Sequence, residues 1–260
     1  MKFSVIIPAG GSSSRFGSKD KLAEDFGGRP LLLRTVEFFT KREDVVEIIV
    51  AGPMDKLDEF KERFGPALSF HGVKIIAGGR TRSESVSNAL KFISDDSDRV
   101  AIHDAARPCL TNDLLDKLLL ASGDLDAVAA ALPIVGTLKR TLKEIRTVGD
   151  EDAIADSILG TSTKATVSCH LVEKTIDRNE LWELQTPQIF DVLLLKKGYE
   201  QGDLSNCTDD AQVIEKLGHS VYLIEGDSRN IKVTTQADLK LVKAFLGIRG
   251  EKPRPTHKRF

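Results

Sequence analysis

Short apolar runs alternate with longer amphipathic stretches through the first half of the chain, and few folds accommodate that rhythm. Phe3–Ile7, Val45–Ala51, Val73–Ala77, Val100–His103 and Ala127–Leu132 are brief, apolar and rich in β-branched residues, which predicts buried strands. Between them, Leu31–Lys41, Met54–Phe64, Ser83–Ile93 and Asn112–Ser122 carry apolar residues on one face, as helices that cover a sheet must. Strands separated by helices pair in parallel, because a parallel connection needs a crossover. The expected class is therefore α/β, a mainly parallel sheet with helices on both faces. Ligands of such sheets lie beyond the C-terminal strand ends. The 260 residues allow one large domain or two small ones, and 41% apolar residues supply a full core.

The rhythm breaks after Pro133. From Thr137 to Thr175 the runs are short, β-branched and interrupted, which predicts a protruding β-arm. An arm of that size cannot bury both faces unaided and needs a partner, most simply a second copy of the chain. A small subdomain folded on its own sheet is the alternative. Regular structure is expected again from Leu181: helices at Phe190–Gly198, Thr208–Leu217 and Gln236–Phe245, the last capped by Thr235, and strands at Val221–Ile224 and Ile231–Val233. The division so read is a main domain of 1–136 and 177–247, an arm of 137–176 and a tail of 248–260. The tail is basic and proline-bearing, and is expected to be disordered.

Charge and cysteine usage narrow the function classes. A net charge of −2 argues against a nucleic-acid-binding face. Cys109, Cys169 and Cys207 are odd in number and far apart, which reads as reduced thiols in a cytoplasmic protein. The histidines lack metal-ligand spacing, no apolar run approaches the ~20 residues of a membrane span, and no signal or transit segment is expected. The predicted partners are small molecules, with no nucleic acid and no membrane.

Five motifs carry candidate chemistry. Val5-Ile6-Ile7-Pro8-Ala9-Gly10-Gly11 leads from the first strand into a small-residue loop with Arg15 and Lys21. Such a loop can bring amides near an anion, and two cations close together suit a polyphosphate. It lacks both the dinucleotide G-x-G-x-x-G spacing and the Walker A ending. Gly79, Arg82 and Ser85 sit where the third strand gives way to its helix, and amides there could hold a base, ribose or phosphate. Asp104 closes the fourth strand, placed to help hold Mg²⁺, with Arg107 nearby. Arg178 offers a fork for a phosphate monoester, and Thr186 a hydroxyl at a rigid turn. Lys232, inside a short apolar run, must face a crevice or an anion. For each motif the residues alone leave a structural role open: a plain βα turn, a capped helix start, an Asp–Arg pair, an exposed arginine, an edge lysine.

In order and spacing together, these motifs resemble the 2-C-methyl-D-erythritol 4-phosphate cytidylyltransferase family, from about Phe3 to Phe245. The resemblance implies a Rossmann-like fold of the nucleotide-diphospho-sugar transferase type and transfer of CMP from CTP to 2-C-methyl-D-erythritol 4-phosphate in non-mevalonate isoprenoid biosynthesis, with release of pyrophosphate and with Mg²⁺. It places Ala9, Gly10, Gly11, Arg15 and Lys21 at the CTP phosphates, and Gly79, Arg82, Ser85 and Ala105 around cytidine. Asp104 and Arg107 fall by the metal and sugar phosphate, and Thr137, Arg178, Thr186 and Thr208 at the acceptor. Lys232 would join Lys21 at the reacting phosphates. It further implies a homodimer whose arm carries Arg178 into the partner's site. Ribitol-5-phosphate cytidylyltransferase shares the fold and loop and is the alternative. Asp20 stands where the family usually has proline, and 140–174 is longer than usual.

Overall fold

The computed structural model describes residues 1–11, 16, 20–148, 166–202, 204 and 206–248. The chain divides into two compact units, Met1–Leu132 with Leu184–Phe260, and Pro133–Glu183. Seven strands form one sheet in the order β3-β2-β1-β4-β8-β5-β9: β1 (Phe3–Pro8), β2 (Val45–Gly52), β3 (Lys74–Ala77), β4 (Arg99–Ile102), β5 (Ala127–Pro133), β8 (Trp182–Asp191) and β9 (Tyr222–Glu225). β1 pairs in parallel with β2 and β4, β2 with β3, and β5 with β9, while β8 runs antiparallel to β4.

The two-residue period of the strands sorts their side chains into two cores. Phe3, Val5 and Ile7 of β1, with Ile48 and Val50 of β2 and Ala101 of β4, enter one. Ile6, Ile49, Ala51, Val100 and Ile102 enter the other. This is why the strands read as continuous apolar runs: both faces are covered. The first core is closed by α1 (Leu31–Phe39), α2 (Leu57–Phe70), α4 (Asn112–Ala121) and α7 (Gln236–Phe245), which contribute Leu32, Val36, Phe60, Phe64, Leu115, Leu118 and Val242. The second is closed by α3 (Arg82–Leu90), α5 (Val192–Tyr199) and α6 (Ala211–Lys216), through Val86, Leu90, Leu195 and Ile214. Thr235 caps α7 in a capping box with Asp238.

Besides later helix starts at Val192 and Ala211, the observed elements depart from the sequence pattern in three places. α2 runs on to Phe70, six residues past Phe64, with Pro66 inside it, and enters through a 3₁₀ turn at Met54–Lys56. Trp182–Asp191 is a ten-residue strand, so Thr186 lies within a ladder and not at a turn. Its polar residues disguised it: Gln185, Thr186 and Gln188 are buried, and their groups bond inward. Finally, Ile231–Val233 is not a strand. Val233 is buried and its amide donates to the Ala106 carbonyl at 2.8 Å, so the apolar pattern reported burial and not a ladder.

The second unit is built on a hairpin of β6 (Leu138–Val148) and β7 (Val167–Ile176), antiparallel from Leu138↔Ile176 to Val148↔Val167. Leu142, Ile145, Val148, Val167, Leu171 and Val172 are each between 42% and 61% exposed, so these apolar side chains are largely uncovered among the described residues. Residues 149–165, where the sequence pattern is interrupted, and the tail from Arg249 lie outside the described residues.

Candidate active site

The site begins where β1 ends. Pro8 closes the strand and the Ala9 amide still donates to the Ala51 carbonyl at 2.8 Å. A Cβ at Gly10 would rest in ordinary contact, 3.4 Å from Pro53 Cα just beyond the end of β2. Arg15 lies outside the described residues. Lys21 opens a 3₁₀ turn, Lys21–Ala23, capped by Asp20 and anchored by buried Leu22.

The second wall is the loop between β3 and α3. The Gly78 amide donates to the Gly52 carbonyl at 2.8 Å. A Cβ at Gly78 would meet that carbonyl oxygen at 2.7 Å, and one at Gly79 would meet Glu84 Cβ at 2.2 Å, so only glycine fits either position. The Gly79 amide donates to Ser85 Oγ at 2.9 Å, Arg80's to Glu84 Oε2 at 2.8 Å, and Thr81 caps α3. Asn88 Nδ2 donates to the Gly78 carbonyl at 3.1 Å. The loop is thus fixed by its own helix.

The third element is the end of β4. Asp104 meets Lys232 Nζ at 3.0 Å, Arg107 Nε at 3.2 Å and Arg82 Nε at 3.7 Å. Burial alone would raise its pKa, but Lys232, Arg82 and Arg107 outweigh it and hold the carboxyl well below the usual range. Its amide donates to Thr186 Oγ1 at 3.0 Å, and His103 Nδ1 lies 3.2 Å from the same hydroxyl. His103 Nε2 contacts the Arg107 carbonyl at 3.0 Å, and burial pushes this imidazole down to about 4, so the ring is neutral at pH 7. Arg107 Nη1 donates to the Asn230 carbonyl at 2.7 Å, which fixes the segment carrying Lys232.

Arg82 is held from a second side. Its Nη2 lies 2.6 Å from Asp210 Oδ2, and Tyr199 Oη donates to Asp210 Oδ1 at 2.6 Å. Asp210 is fully buried. Burial, then the Asp210 charge, pushes the Tyr199 phenol far above its ordinary value. Arg82 Nη1 has no hydrogen-bond partner among the described residues.

A single cavity of about 690 Å³ is lined by Ala9, Gly10, Gly11, Lys21, Gly79, Arg82, Ser85, Asp104, Ala105 and Lys232, ten of the positions singled out in the sequence. Arg107 and Thr186 do not line it. They are buried, with Arg107 Nε against the Asp104 carboxylate and Thr186 Oγ1 accepting from the Asp104 amide. Thr208 also lies off the cavity, its amide donating to Gln212 Oε1 at 2.9 Å. Thr137 and Arg178 belong to the second unit, where Arg178 Nη1 donates to the Val135 carbonyl. Sequence reasoning missed Pro53, Met54, Asp55 and Lys56 on the cavity wall, and Asp210, which pairs with Arg82. Asp210 follows another aspartate ahead of a helix, where an exposed cap is the ordinary expectation.

Among the described residues no three His, Cys, Asp or Glu side chains gather as a metal cage. Asp104 is nevertheless ionised at the cavity wall, and Mg²⁺ in nucleotide sites takes one or two carboxylates plus phosphate oxygens and water, so the donor set fits that ion.

Comparison with known proteins places this arrangement. The family model for 2-C-methyl-D-erythritol 4-phosphate cytidylyltransferase matches residues 3–155 and 153–248. Enzymes of that name from Rhodopirellula baltica and Clostridium perfringens strain SM101 are 32% and 34% identical. They cover 94% and 93% of this chain, and 94% and 97% of their own lengths are matched. The Thermus thermophilus enzyme of the same name superposes with a TM-score of 0.69 at 27% identity, covering 95% of this chain and 100% of its own. The fold, the glycine-walled cavity and these matches along nearly the whole length lead to one conclusion: the chain belongs to the 2-C-methyl-D-erythritol 4-phosphate cytidylyltransferase family.

Proposed function

We infer that this chain transfers CMP from CTP to 2-C-methyl-D-erythritol 4-phosphate and releases pyrophosphate, a step of non-mevalonate isoprenoid synthesis. The observation that carries the reading is the cavity where Lys21, Lys232, Arg82 and Asp104 meet the Gly10–Gly11 turn and a second loop whose Gly78 and Gly79 leave no room for a Cβ. The acceptor's phosphate oxygen attacks the α-phosphorus of CTP. A P–O bond forms, the bond to the bridging oxygen of the β-phosphate breaks, and the electron pair leaves on pyrophosphate. The attacking oxygen is already anionic, so the reaction needs no general base. What it needs is relief of repulsion between two polyanions, which positioned cations supply.

In that reading Lys21 and Lys232 face the phosphates, joined by Arg15. The amides of Gly10 and Gly11 approach the triphosphate, and Gly79, Arg82, Ser85 and Ala105 surround cytidine. Asp104 serves twice: it orients Lys232 and is the carboxylate that would hold Mg²⁺. The ion, when bound, neutralises phosphate oxygens. Arg107 and Thr186 act through Asp104.

The uncovered apolar residues of the hairpin support a homodimer joined through the arm, with Arg178, Thr137 and Thr208 assigned to the acceptor. Replacing Leu171 by Arg should then shift sedimentation from dimer to monomer. No helix among the described residues is long and apolar enough to cross a membrane, which accords with work in the cytoplasm. The deciding experiment measures pyrophosphate release with CTP across several polyol phosphates. Turnover with methylerythritol phosphate well above ribitol 5-phosphate is expected, and the reverse order would overturn the acceptor assignment.

A further inference from the structure

Asp20 immediately precedes Lys21, which lines the cavity assigned above to a triphosphate. A carboxylate there opposes a polyanionic ligand, so its presence calls for another role. Both of its oxygens are engaged. Oδ1 accepts from the Leu22 amide at 3.0 Å and so caps the turn that carries Lys21. Oδ2 lies 3.1 Å from Arg63 Nη1, 43 residues along the chain. Arg63 stands on α2, whose Phe60 and Phe64 share a buried cluster with Leu22. The turn is therefore held at two points, Leu22 in the core and Asp20 on the helix. With side chains 43% and 56% exposed, the pair adds little to folding stability, so a stabilising role does not account for it.

We propose that the Asp20–Arg63 bridge is a positioning device that holds the Lys21 turn in register with the reacting phosphates. The proposal rests on the reading of Lys21 as a phosphate-facing cation. The rival explanation makes Arg63 a distant cation attracting CTP, with Asp20 a passive anion. The two differ in sign. Asparagine still caps a helical turn but cannot complete an ion pair. Positioning therefore predicts that Asp20→Asn slows the reaction, and simple field effects predict that it speeds it.

The test compares kcat and CTP KM for Asp20→Asn, Arg63→Gln, their double variant, Arg63→Lys, Lys21→Ala and Lys21→Ala/Arg63→Gln, with urea midpoints for each. Asp20→Asn and Arg63→Gln should each lower kcat about 2–5-fold, the most that an exposed ion pair can supply by biasing the turn. KM should stay within about twofold, and the urea midpoints should not move. The double variant should be no slower than either single one, because both remove the same contact. Arg63→Lys should recover most of the rate, and Arg63→Gln should add nothing once Lys21 is gone. Unchanged or faster turnover in Asp20→Asn, beside a slow Lys21→Ala, would overturn the device alone. Additive losses, or a loss matched by a falling urea midpoint, would do the same. A Lys21→Ala enzyme of normal kcat would overturn the reading of Lys21 and the device with it.

Discussion

Asp210 offers the sharpest test of how the site is built. It is fully buried, ion-paired with Arg82 at 2.6 Å and hydrogen-bonded by Tyr199 Oη at 2.6 Å. Asp210→Asn keeps the shape and an acceptor for Tyr199 and removes only the charge. Deleting one partner of a buried ion pair costs about 3–5 kcal/mol, because the other charge is left stranded. Here the remaining charge is not wholly stranded. Arg82 keeps 25% of its side chain exposed and has Asp104 at 3.7 Å. Water screens it and the second carboxylate shares it, so the expected loss is smaller, about 2–3 kcal/mol. That lowers the folding constant by a factor of about 30–150. Urea unfolding at pH 7.5, with the m-value held in common, reads this directly. The CTP KM should rise as well, since Arg82 loses the contact that aims it into the cavity. A loss below about 0.5 kcal/mol, in the range of ordinary surface substitutions, would mean that the pair does not hold the site together.

Two further outcomes follow from the same geometry. Gly79→Ala places a Cβ 2.2 Å from Glu84 Cβ, so the loop must open. Overpacking of this kind costs about 1–3 kcal/mol, which should lower the urea midpoint, and CTP binding by calorimetry should weaken as well because the loop lines the cavity. The Tyr199 phenol is held far above its ordinary value by burial and Asp210. A raised pKa means that the stability it carries is whole below about pH 10 and is lost as pH rises above it. Stability curves of wild type and Tyr199→Phe should therefore converge on the alkaline side, and parallel curves would contradict the assignment.

How far the fold could be read in advance depended on which signal each element sent. β1, β2, β4 and β5 announce themselves because burial on both faces leaves them continuously apolar. α7 does so through Thr235 and Asp238, whose side chains satisfy the first-turn amides. β8 sends no such signal. Gln185, Thr186 and Gln188 are as polar as any loop, and only the partners they find in the fold make them a buried strand. The cavity was legible through its glycines and cations, which no apolar role explains. Its supports were not: Asp210 and Asn230 look like ordinary turn residues until Arg82 and Arg107 arrive from distant elements. The same holds for Arg107 and Thr186, where the sequence supplies the right neighbourhood but not the direction in which each side chain points.

The central claim is that cations brought from opposite ends of the chain into one cavity lower the barrier to phosphoryl transfer, rather than merely attracting CTP. Lys232→Ala, assayed for pyrophosphate release at saturating CTP and acceptor, tests it most directly, because Lys232 lines the cavity and is 41% exposed there. The predicted result is a kcat reduced about 10²–10³-fold, as when one preorganised donor is removed from an oxyanion site, with the CTP KM nearly unchanged. A variant that turns over at the wild-type rate once CTP is saturating would contradict it.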